Sequence, residues 1–205
     1  MGYFLAAVTG YLLGCSNLAY YISAAAKKDI RRDGSGNLGA SNATILFGWK
    51  AGIAVAVHDI GKAALAVILA KLLFPGLENA GAVAGVAAVL GHIFPFYLKF
   101  KGGKGTASFF GLTLALNWKL ALLAAVILVL ATVITDYIVI GTFSTIVTVP
   151  LYVGFFAHNL ILAAIVCIAS FTIFYKHLEN IGRMIRREEI GLRSTLRGEK
   201  RYDKH

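Results

Sequence analysis

Seven long apolar runs, separated by short charged blocks, constrain the fold of this 205-residue chain more than any other feature. Most are long enough for a membrane-spanning helix, which needs about 20 residues. Hydrophobic residues make up 58% of the chain and charged residues 15%, whereas soluble domains are about 45–50% apolar and about 25% charged. The sequence therefore predicts an all-α polytopic membrane protein and excludes a soluble enzyme, a disordered chain and a secreted disulfide scaffold. The runs are residues 3–26, 51–74, 80–98, 106–118, 120–135, 137–157 and 159–175.

The charged blocks predict the topology through the positive-inside rule. Residues 27–33 contain four basic groups and residues 99–104 contain three, whereas 75–79 contains Glu78 and no basic residue. The segment from 176 onward is also rich in basic residues, so an even number of spans is expected between 106 and 175. We predict seven transmembrane helices, with five as the alternative, an N-terminus outside and a cytoplasmic C-terminus. Residues 1–185 are predicted to form a single membrane-embedded domain, and 186–205 a basic cytoplasmic tail.

The net charge of +10 arises from 20 basic and 10 acidic residues that stand in blocks between the apolar runs. In a soluble protein this excess would suggest nucleic-acid binding, but here the sidedness of a membrane protein explains it better. We therefore expect the lipid bilayer as a partner and no nucleic acid. Cys15 and Cys167 lie inside apolar runs and are interpreted as core residues, without a disulfide or a metal. The first run lacks a charged leader and is interpreted as a retained span.

Residues 34–42 form the first of three polar stretches that the predicted topology places on the cytoplasmic side. Glycines favour an irregular backbone that can bind an anion, and short polar side chains can hydrogen-bond to hydroxyl groups or phosphate. An equally supported alternative is a turn in which Ser41 or Asn42 caps the next helix. The candidate binding residues are Gly34, Ser35, Gly36, Asn37, Ser41 and Asn42.

Residues 101–106 contain the parts of a phosphate site. Glycines let backbone N–H groups approach an anion, and the apolar run that begins at Thr106 would place those groups at a helix N-terminus. Lys104 adds a full positive charge, although the spacing is not that of a Walker A motif. A flexible basic loop facing anionic lipids is the alternative. The candidate residues are Gly102, Gly103, Lys104, Gly105 and Thr106.

Two further pairs of residues, each three positions apart, are candidates for a function. His177 and Asn180 directly follow the last apolar run and share a helix face. His177 can donate to phosphate near neutral pH, although an interfacial histidine is the commoner role for such a residue. Asp59 and Lys62 lie inside the second run and are interpreted as a structural ion pair that braces the site, with a proton or ion pathway as the alternative.

With these three motifs the sequence resembles the PlsY family of bacterial membrane glycerol-3-phosphate acyltransferases, which use acyl phosphate as the donor. The family pattern is close to Gly-Ser-Gly-Asn-x-Gly-Ala-Thr-Asn, then Lys-Gly-Gly-Lys-Gly, then His-x-x-Asn-Ile, and all three occur here in this order. Residues 91–95, Gly-His-Ile-Phe-Pro, also match the family. The resemblance covers nearly the whole chain and implies the same seven-span fold.

The resemblance implies a reaction in which an acyl group passes from acyl phosphate to the 1-hydroxyl of glycerol-3-phosphate, giving lysophosphatidic acid and phosphate. It implies no metal and no cofactor, a location in the bacterial inner membrane with the active site facing the cytoplasm, and the two substrates as partners. A monomer is the expected state. The implied catalytic residues are Ser35, Lys104 and His177. The implied substrate-binding residues are Gly34, Gly36, Asn37, Asn42, Gly102, Gly103, Gly105, Thr106 and Asn180.

The sequence departs from the family pattern at a few positions. Ile45 stands where the family normally has an arginine that helps to bind the substrate phosphate, and Ser41 replaces the usual threonine. The departure at Ile45 leaves a second hypothesis open, a diverged paralogue that binds a lipid phosphate or uses another acceptor. A small anion transporter is the third hypothesis, against which the lack of an internal sequence repeat argues.

Overall fold

The computed structural model describes residues 1–196, and within that range every regular element is a helix. The predicted all-α class is confirmed. The last part of the predicted basic tail, 197–205, lies outside the described residues. The α-helices are α1 Gly2–Cys15, α2 Leu18–Ala25, α3 Ala40–Phe47, α4 Trp49–Leu73, α5 Ala80–Ile93, α6 Thr106–Leu116, α7 Trp118–Thr135, α8 Ile138–Leu151, α9 Leu160–Lys176, α10 Leu178–Ile185 and α11 Leu192–Leu196.

The apolar runs found in the sequence coincide with the long helices. In the described part of the chain, five helical segments are long and apolar enough to cross a membrane, and the number is six if α9 and α10, bent by 41° at their junction, are counted as one span. Helix α6 has 11 residues and would cover about 17 Å, roughly half of the hydrocarbon core. The five segments are Gly2–Ala25, Trp49–Leu73, Ala80–Leu98, Trp118–Thr135 and Ile138–Phe156.

The chain divides into two compact units, the first covering Met1–Trp118 and the second beginning at Lys119. In the first unit, α1 packs closely on α5 because Gly10 and Gly14 face the backbone of Ala84 and Ala88. A Cβ atom at either glycine would overlap that backbone. Small residues spaced four apart are typical of helix pairs that pack inside a membrane.

Helix α4 shows why the first unit suits a lipid environment. Its outer face carries large apolar side chains, with Ile53 60% and Val57 64% exposed. Its opposite face packs small residues such as Ala63 and Ala66 into an alanine-rich core shared with α1 and α5. Apolar side chains on the outside and small residues inside are expected where lipid replaces water around a helix bundle.

The second unit contains helices α7 to α11. Asn159 caps α9 by accepting a hydrogen bond from the Leu162 backbone N–H at 2.9 Å. The short helix α11 is attached to the turn between α7 and α8, because the Leu192 and Arg193 N–H groups donate to the carbonyl and Oδ1 of Asp136, at 2.7 and 2.8 Å. The first residues of the predicted tail are therefore anchored within this unit.

Candidate functional site

The polar loop between α2 and α3 is organised by one buried side chain, that of Asn42. Its Oδ1 accepts a hydrogen bond from the Ser35 backbone N–H at 2.9 Å. Its two N–H groups donate to three carbonyl oxygens, those of residues 30, 33 and 37, at 3.0, 3.2 and 3.1 Å. Asn42 is 0% exposed. Asn42, predicted from the sequence to bind substrate, therefore holds the Ser35 loop in place.

Gly34 is required by this arrangement. Its φ angle is +61°, and a Cβ atom there would overlap Oδ1 of Asn42. The next helix, α3, has Gly39 as its N-cap residue and no side-chain cap. The alternative interpretation, in which Ser41 or Asn42 caps the helix, is therefore wrong.

The glycine-rich turn that follows the short 3₁₀ helix Phe96–Leu98 is hydrogen-bonded back to the end of α5. The Gly102 N–H donates to the Ile93 carbonyl at 3.0 Å, and the Gly103 N–H donates to the His92 carbonyl at 3.1 Å. Both N–H groups are thus used inside the chain. This corrects the expectation that they cradle an anion, since they hold the turn in place instead.

The second half of the same turn keeps the features of a phosphate site. Gly105 has a φ angle of +94° and is the N-cap residue of α6, which begins at Thr106 as predicted. The first N–H groups of a helix have no carbonyl partner within it, and this end of the helix dipole favours an anion. Lys104 is half-buried directly before this helix start. The turn therefore places a basic residue next to the N-cap residue of α6.

The two polar loops meet at Gly103, within the first unit. A Cβ atom at Gly103 would overlap the imidazole ring of His92 and press against the carbonyl oxygen of Leu38. Leu38 belongs to the first loop, where its carbonyl also accepts from Nδ2 of Asn17 at 3.4 Å. The structure therefore brings the loop of Ser35 into contact with the turn that carries Lys104.

A buried cluster of charged and polar groups lies beneath this meeting point. The carboxylate Oδ1 of Asp59 is 2.8 Å from Nζ of Lys62 and 3.3 Å from Nδ1 of His92. Nζ of Lys62 also lies 2.6 Å from the Ser16 carbonyl and 2.8 Å from Nδ1 of His92. The ion pair predicted from the sequence is confirmed, and His92 is an additional member of it that the sequence analysis did not find.

The arginines of the first loop are paired with an acidic neighbour. Nε of Arg31 donates to Oδ1 of Asp29 at 3.0 Å, and Nε of Arg32 lies 3.6 Å from Oδ2. The hydrogen bond from the Arg31 guanidinium holds the pKa of the Asp29 carboxyl below its usual range. These groups are exposed, so the ion pairs add little to stability.

The third motif lies in the second unit, at the bend between α9 and α10. Nδ1 of His177 donates to the Ile173 carbonyl at 2.8 Å, and the ring packs edge-to-face on Phe143. Because a carbonyl oxygen can only accept, Nδ1 carries a ring proton in this contact. Asn180 donates from Nδ2 to Oε1 of Glu189 at 2.6 Å. Both His177 and Asn180 are 5% exposed.

Glu189 joins two residues of α10 and was not found by the sequence analysis. Its Oε2 accepts from Nε of Arg183 at 2.7 Å, while its Oε1 accepts from Asn180. Arg183 also donates to Glu179 at 2.8 Å. Nothing in the spacing of these residues indicated this contact, because it forms only when the chain after α10 folds back.

Comparison with known families identifies the chain. The profile of the family described as glycerol-3-phosphate acyltransferase matches residues 4–187. The chain belongs to this acyltransferase family. The recognition of the PlsY family from three short motifs is confirmed.

Relatives in this acyltransferase family match the chain over nearly its full length. A protein named glycerol-3-phosphate acyltransferase 1 from Oceanobacillus iheyensis is 36% identical over 203 residues, covering 96% of this chain and 98% of that relative. A glycerol-3-phosphate acyltransferase from Dinoroseobacter shibae is 39% identical, covering 88% of each chain.

Solved structures of an acyltransferase of this family have the same fold. The crystal structure of PlsY, an integral membrane glycerol 3-phosphate acyltransferase, in its glycerol 3-phosphate form matches with a TM-score of 0.89 and 26% identity, over 96% of this chain and 98% of that one. Its lysophosphatidic acid form matches with a TM-score of 0.84, also at 26% identity, over 93% and 95% of the two chains. Together with the long apolar helices, this likeness shows that the chain is a membrane protein.

The acyltransferase site offers anion-binding groups rather than metal ligands. Within residues 1–196, no group of three or more His, Cys, Asp or Glu side chains could hold a metal ion. Lys104 and the start of α6 can hold a phosphate group, and hydroxyl and amide groups of the first loop can hydrogen-bond to a polar substrate. The arrangement suits a reaction in which a phosphate group is held and displaced.

Proposed function

We propose that this protein transfers an acyl group from acyl phosphate to the 1-hydroxyl of glycerol-3-phosphate, giving lysophosphatidic acid and phosphate. This would be the first acylation step of phospholipid synthesis. The observation that carries the proposal is the contact at Gly103 between the Ser35 loop and the turn of Lys104, in a chain that belongs to this family. A lysine and a helix N-terminus beside a serine loop supply the positive charge and the hydrogen-bond donors that stabilise a departing phosphate.

The chemistry needs little from the protein beyond binding and electrostatics. The 1-hydroxyl oxygen attacks the acyl carbon, the bond between that carbon and the phosphate oxygen breaks, and the hydroxyl proton passes to the departing phosphate. Acyl phosphate is an activated electrophile, so holding the two substrates in line supplies much of the rate. No protein side chain is required as a general base in this scheme.

Each candidate residue has a distinct role in this proposal. Lys104 and the N-terminus of α6 stabilise negative charge on phosphate, and Ser35 donates a hydrogen bond to a substrate oxygen. His177, whose ring is held by the hydrogen bond from Nδ1 to the Ile173 carbonyl, binds or orients the polar substrate. Asn180 orients the same substrate. In this proposal Gly34, Gly36, Asn37, Gly105 and Thr106 contribute to substrate binding, whereas Asn42, Gly102 and Gly103 hold the two loops in place.

The finer topology is also part of the proposal. Seven spans, with α6 as the short one, would place the N-terminus outside and the site on the cytoplasmic side of the bacterial inner membrane, with residues 1–185 as one acyltransferase domain. The five or six long apolar segments together with the shorter apolar helix α6 support this arrangement. Labelling of single cysteines introduced at Lys28 and Glu78, after replacement of Cys15 and Cys167 by alanine, tests it. Opposite accessibility is expected, and equal accessibility would contradict the topology.

The experiment supplies purified protein in nanodiscs with palmitoyl phosphate and glycerol-3-phosphate and follows phosphate and lysophosphatidic acid by mass spectrometry. Lys104→Ala is expected to lower kcat/KM by about 100-fold or more, because in the proposed reaction the Lys104 charge stabilises the departing phosphate. Lys101→Ala is the matched control, since Lys101 lies in the same turn but is exposed. Absence of both products from folded wild-type protein would overturn the proposal.

Ile45 favours a second candidate, in which the acceptor is not glycerol-3-phosphate. The side chain is apolar and 36% exposed on α3, three residues after Asn42, and so offers no charge to a second phosphate group. Under this alternative, phosphate is released from acyl phosphate without formation of lysophosphatidic acid. Ile45→Arg is then expected to create turnover with glycerol-3-phosphate, whereas under the first proposal it only lowers the KM for an acceptor that is already used.

A further inference from the structure

The ammonium group of Lys62 has an acceptor for each of its three N–H groups. They are Oδ1 of Asp59 at 2.8 Å, the Ser16 carbonyl at 2.6 Å and Nδ1 of His92 at 2.8 Å. An ammonium donates three hydrogen bonds and accepts none, so Nδ1 of His92 must offer a lone pair. The single ring proton of a neutral imidazole then lies on Nε2.

The Asp59 carboxylate also lies close to two histidine rings, those of His58 and His92. Its Oδ1 is 3.4 Å from Nδ1 of His58, whose Nε2 lies 3.0 Å from Oγ of Ser16. The distance from Oδ1 to Nδ1 of His92 is 3.3 Å, longer than the 2.8 Å that separates the same ring atom from Lys62. Lys62 is therefore the better partner of this ring nitrogen. Side chains of Asp59, Lys62 and His92 are 2%, 5% and 3% exposed.

The opposite edge of the His92 ring faces the glycine-rich turn. A Cβ atom at Gly103 would overlap Nε2 of His92 and would also lie too close to the Leu38 carbonyl oxygen. The His92 carbonyl also accepts the Gly103 N–H at 3.1 Å. The turn thus contacts both the backbone carbonyl and the imidazole ring of His92.

We propose that Asp59 and Lys62 are positioning residues that act through His92 on the turn formed by residues 102–105. They fix the tautomer and the rotation of the ring, and the ring in turn fixes where the turn places Lys104. An ion pair inside a membrane span is costly and is retained where it has a function, which here is to hold a phosphate-binding turn. The inference rests on the proposed function, in which this turn binds phosphate.

Loss of Lys62 has a defined consequence. In Lys62→Met, Nδ1 of His92 loses its donor and Asp59 loses its cation, so the ring proton moves to Nδ1 and is donated to the Asp59 carboxylate. Nε2, the ring atom that faces Gly103, then loses its proton, and the ring is no longer held by Lys62. The turn is displaced, and kcat/KM falls by on the order of 10- to 100-fold, the range expected for a misplacement of about 1 Å or less.

Lys71 provides a matched control on the same helix. It also lies in α4, but its Nζ donates to the Ala115 carbonyl at 2.9 Å, away from His92. Lys71→Met makes the same chemical change and is expected to leave kcat/KM within about twofold of the wild type. If removal of any lysine from this helix had the same general effect, kcat/KM would fall by a similar factor in both variants.

The experiment measures kinetics, melting temperature and the ¹⁵N spectrum of histidine-labelled protein in nanodiscs, with His92→Gln used to assign the His92 signals. The wild type and Lys71→Met are expected to show a protonated Nε2 and an unprotonated Nδ1 at His92, and Lys62→Met the reverse. A wild type with protonated Nδ1 would overturn the proposal even if Lys62→Met fails to fold. A Lys62→Met protein with a lower melting temperature but unchanged kcat/KM would also overturn it, since the cluster would then be only structural.

A binding measurement separates this inference from the proposed function. Inorganic phosphate, titrated while the His92 Nε2 signal is followed, reports binding without turnover. Its affinity is expected to fall about tenfold or more in Lys62→Met, and equal affinity in both proteins would overturn the positioning role. A wild type that binds phosphate but forms no lysophosphatidic acid would instead reject the proposed reaction.

Discussion

Replacing Asn42 with alanine is predicted to loosen the loop that carries Ser35 rather than to remove a substrate contact. The side chain accepts one hydrogen bond and donates from two N–H groups, all to the backbone of residues 30–37. We count one hydrogen bond for Oδ1 and one for each of the two N–H groups, at about 1 kcal/mol each. The closed loop is then destabilised by about 3 kcal/mol relative to the open loop. That figure corresponds to about a 100-fold rise in the population of the open loop.

Hydrogen exchange followed by mass spectrometry measures this opening directly. In Asn42→Ala, a peptide covering residues 29–39 is expected to exchange about 100-fold faster, with a parallel loss of activity. Ser41→Ala is the control, because Ser41 is the adjacent residue on the same helix and is exposed. Unchanged exchange together with a higher KM for glycerol-3-phosphate alone would refute the reasoning, and would show that Asn42 contacts the substrate directly.

Two further substitutions test other contacts of the site. Gly103→Ala is expected to lower activity by about tenfold or more, because the added methyl group overlaps the His92 ring, whereas Gly61→Ala, with no atom within 4 Å of the added Cβ, is expected to leave activity unchanged. Equal activity of the two variants would contradict the close contact at Gly103. Glu189→Gln is expected to destabilise the protein by about 2 kcal/mol, because the Arg183 and Asn180 donors lose a buried carboxylate. Glu188→Gln is the control, because it breaks an exposed ion pair with Arg186 and is expected to cost less than about 0.5 kcal/mol of stability. Thermal unfolding in detergent measures both variants. A larger loss of stability in Glu188→Gln than in Glu189→Gln would show that the Glu189 contact does not form.

The long helices could be predicted from the sequence because long runs of apolar residues determine them. The runs 51–74 and 159–175 became single helices whose ends lie within a few residues of the predicted ones, Trp49–Leu73 and Leu160–Lys176, whereas the run 3–26 divided into α1 and α2. The ion pair of Asp59 and Lys62 was also predictable, since residues three apart share a face and buried charges need partners. These inferences use only local periodicity and the cost of burying charge.

The detailed contacts of the site could not be predicted, because they depend on how distant segments meet. A glycine-rich sequence does not tell whether its N–H groups face a ligand or the chain, and at Gly102 and Gly103 they are bonded to carbonyl groups at the end of α5. Similarly, Asn42 has the composition of a ligand-binding residue, but four backbone groups of its own loop surround its amide. His92 became significant only when the fold placed its ring against Gly103.

The bend at His177 shows the same limit in the second unit. The last apolar run and the third motif form two helices, α9 and α10, and the chain bends by 41° between them, which the sequence did not indicate. The contact of Glu189 with Asn180 then closes over nine residues that carry no periodic signal. Such a contact depends on tertiary packing, which local sequence patterns do not encode.

A double-label experiment tests the proposed reaction most directly. Palmitoyl phosphate with a ¹³C-labelled acyl chain is mixed with deuterated glycerol-3-phosphate and wild-type protein in nanodiscs, and both products are quantified by mass spectrometry. The proposed transfer predicts lysophosphatidic acid that carries both labels, in a ratio of about one to each phosphate released, as the balanced step requires. Release of phosphate with the labelled chain recovered as free fatty acid, and no doubly labelled product, would contradict it.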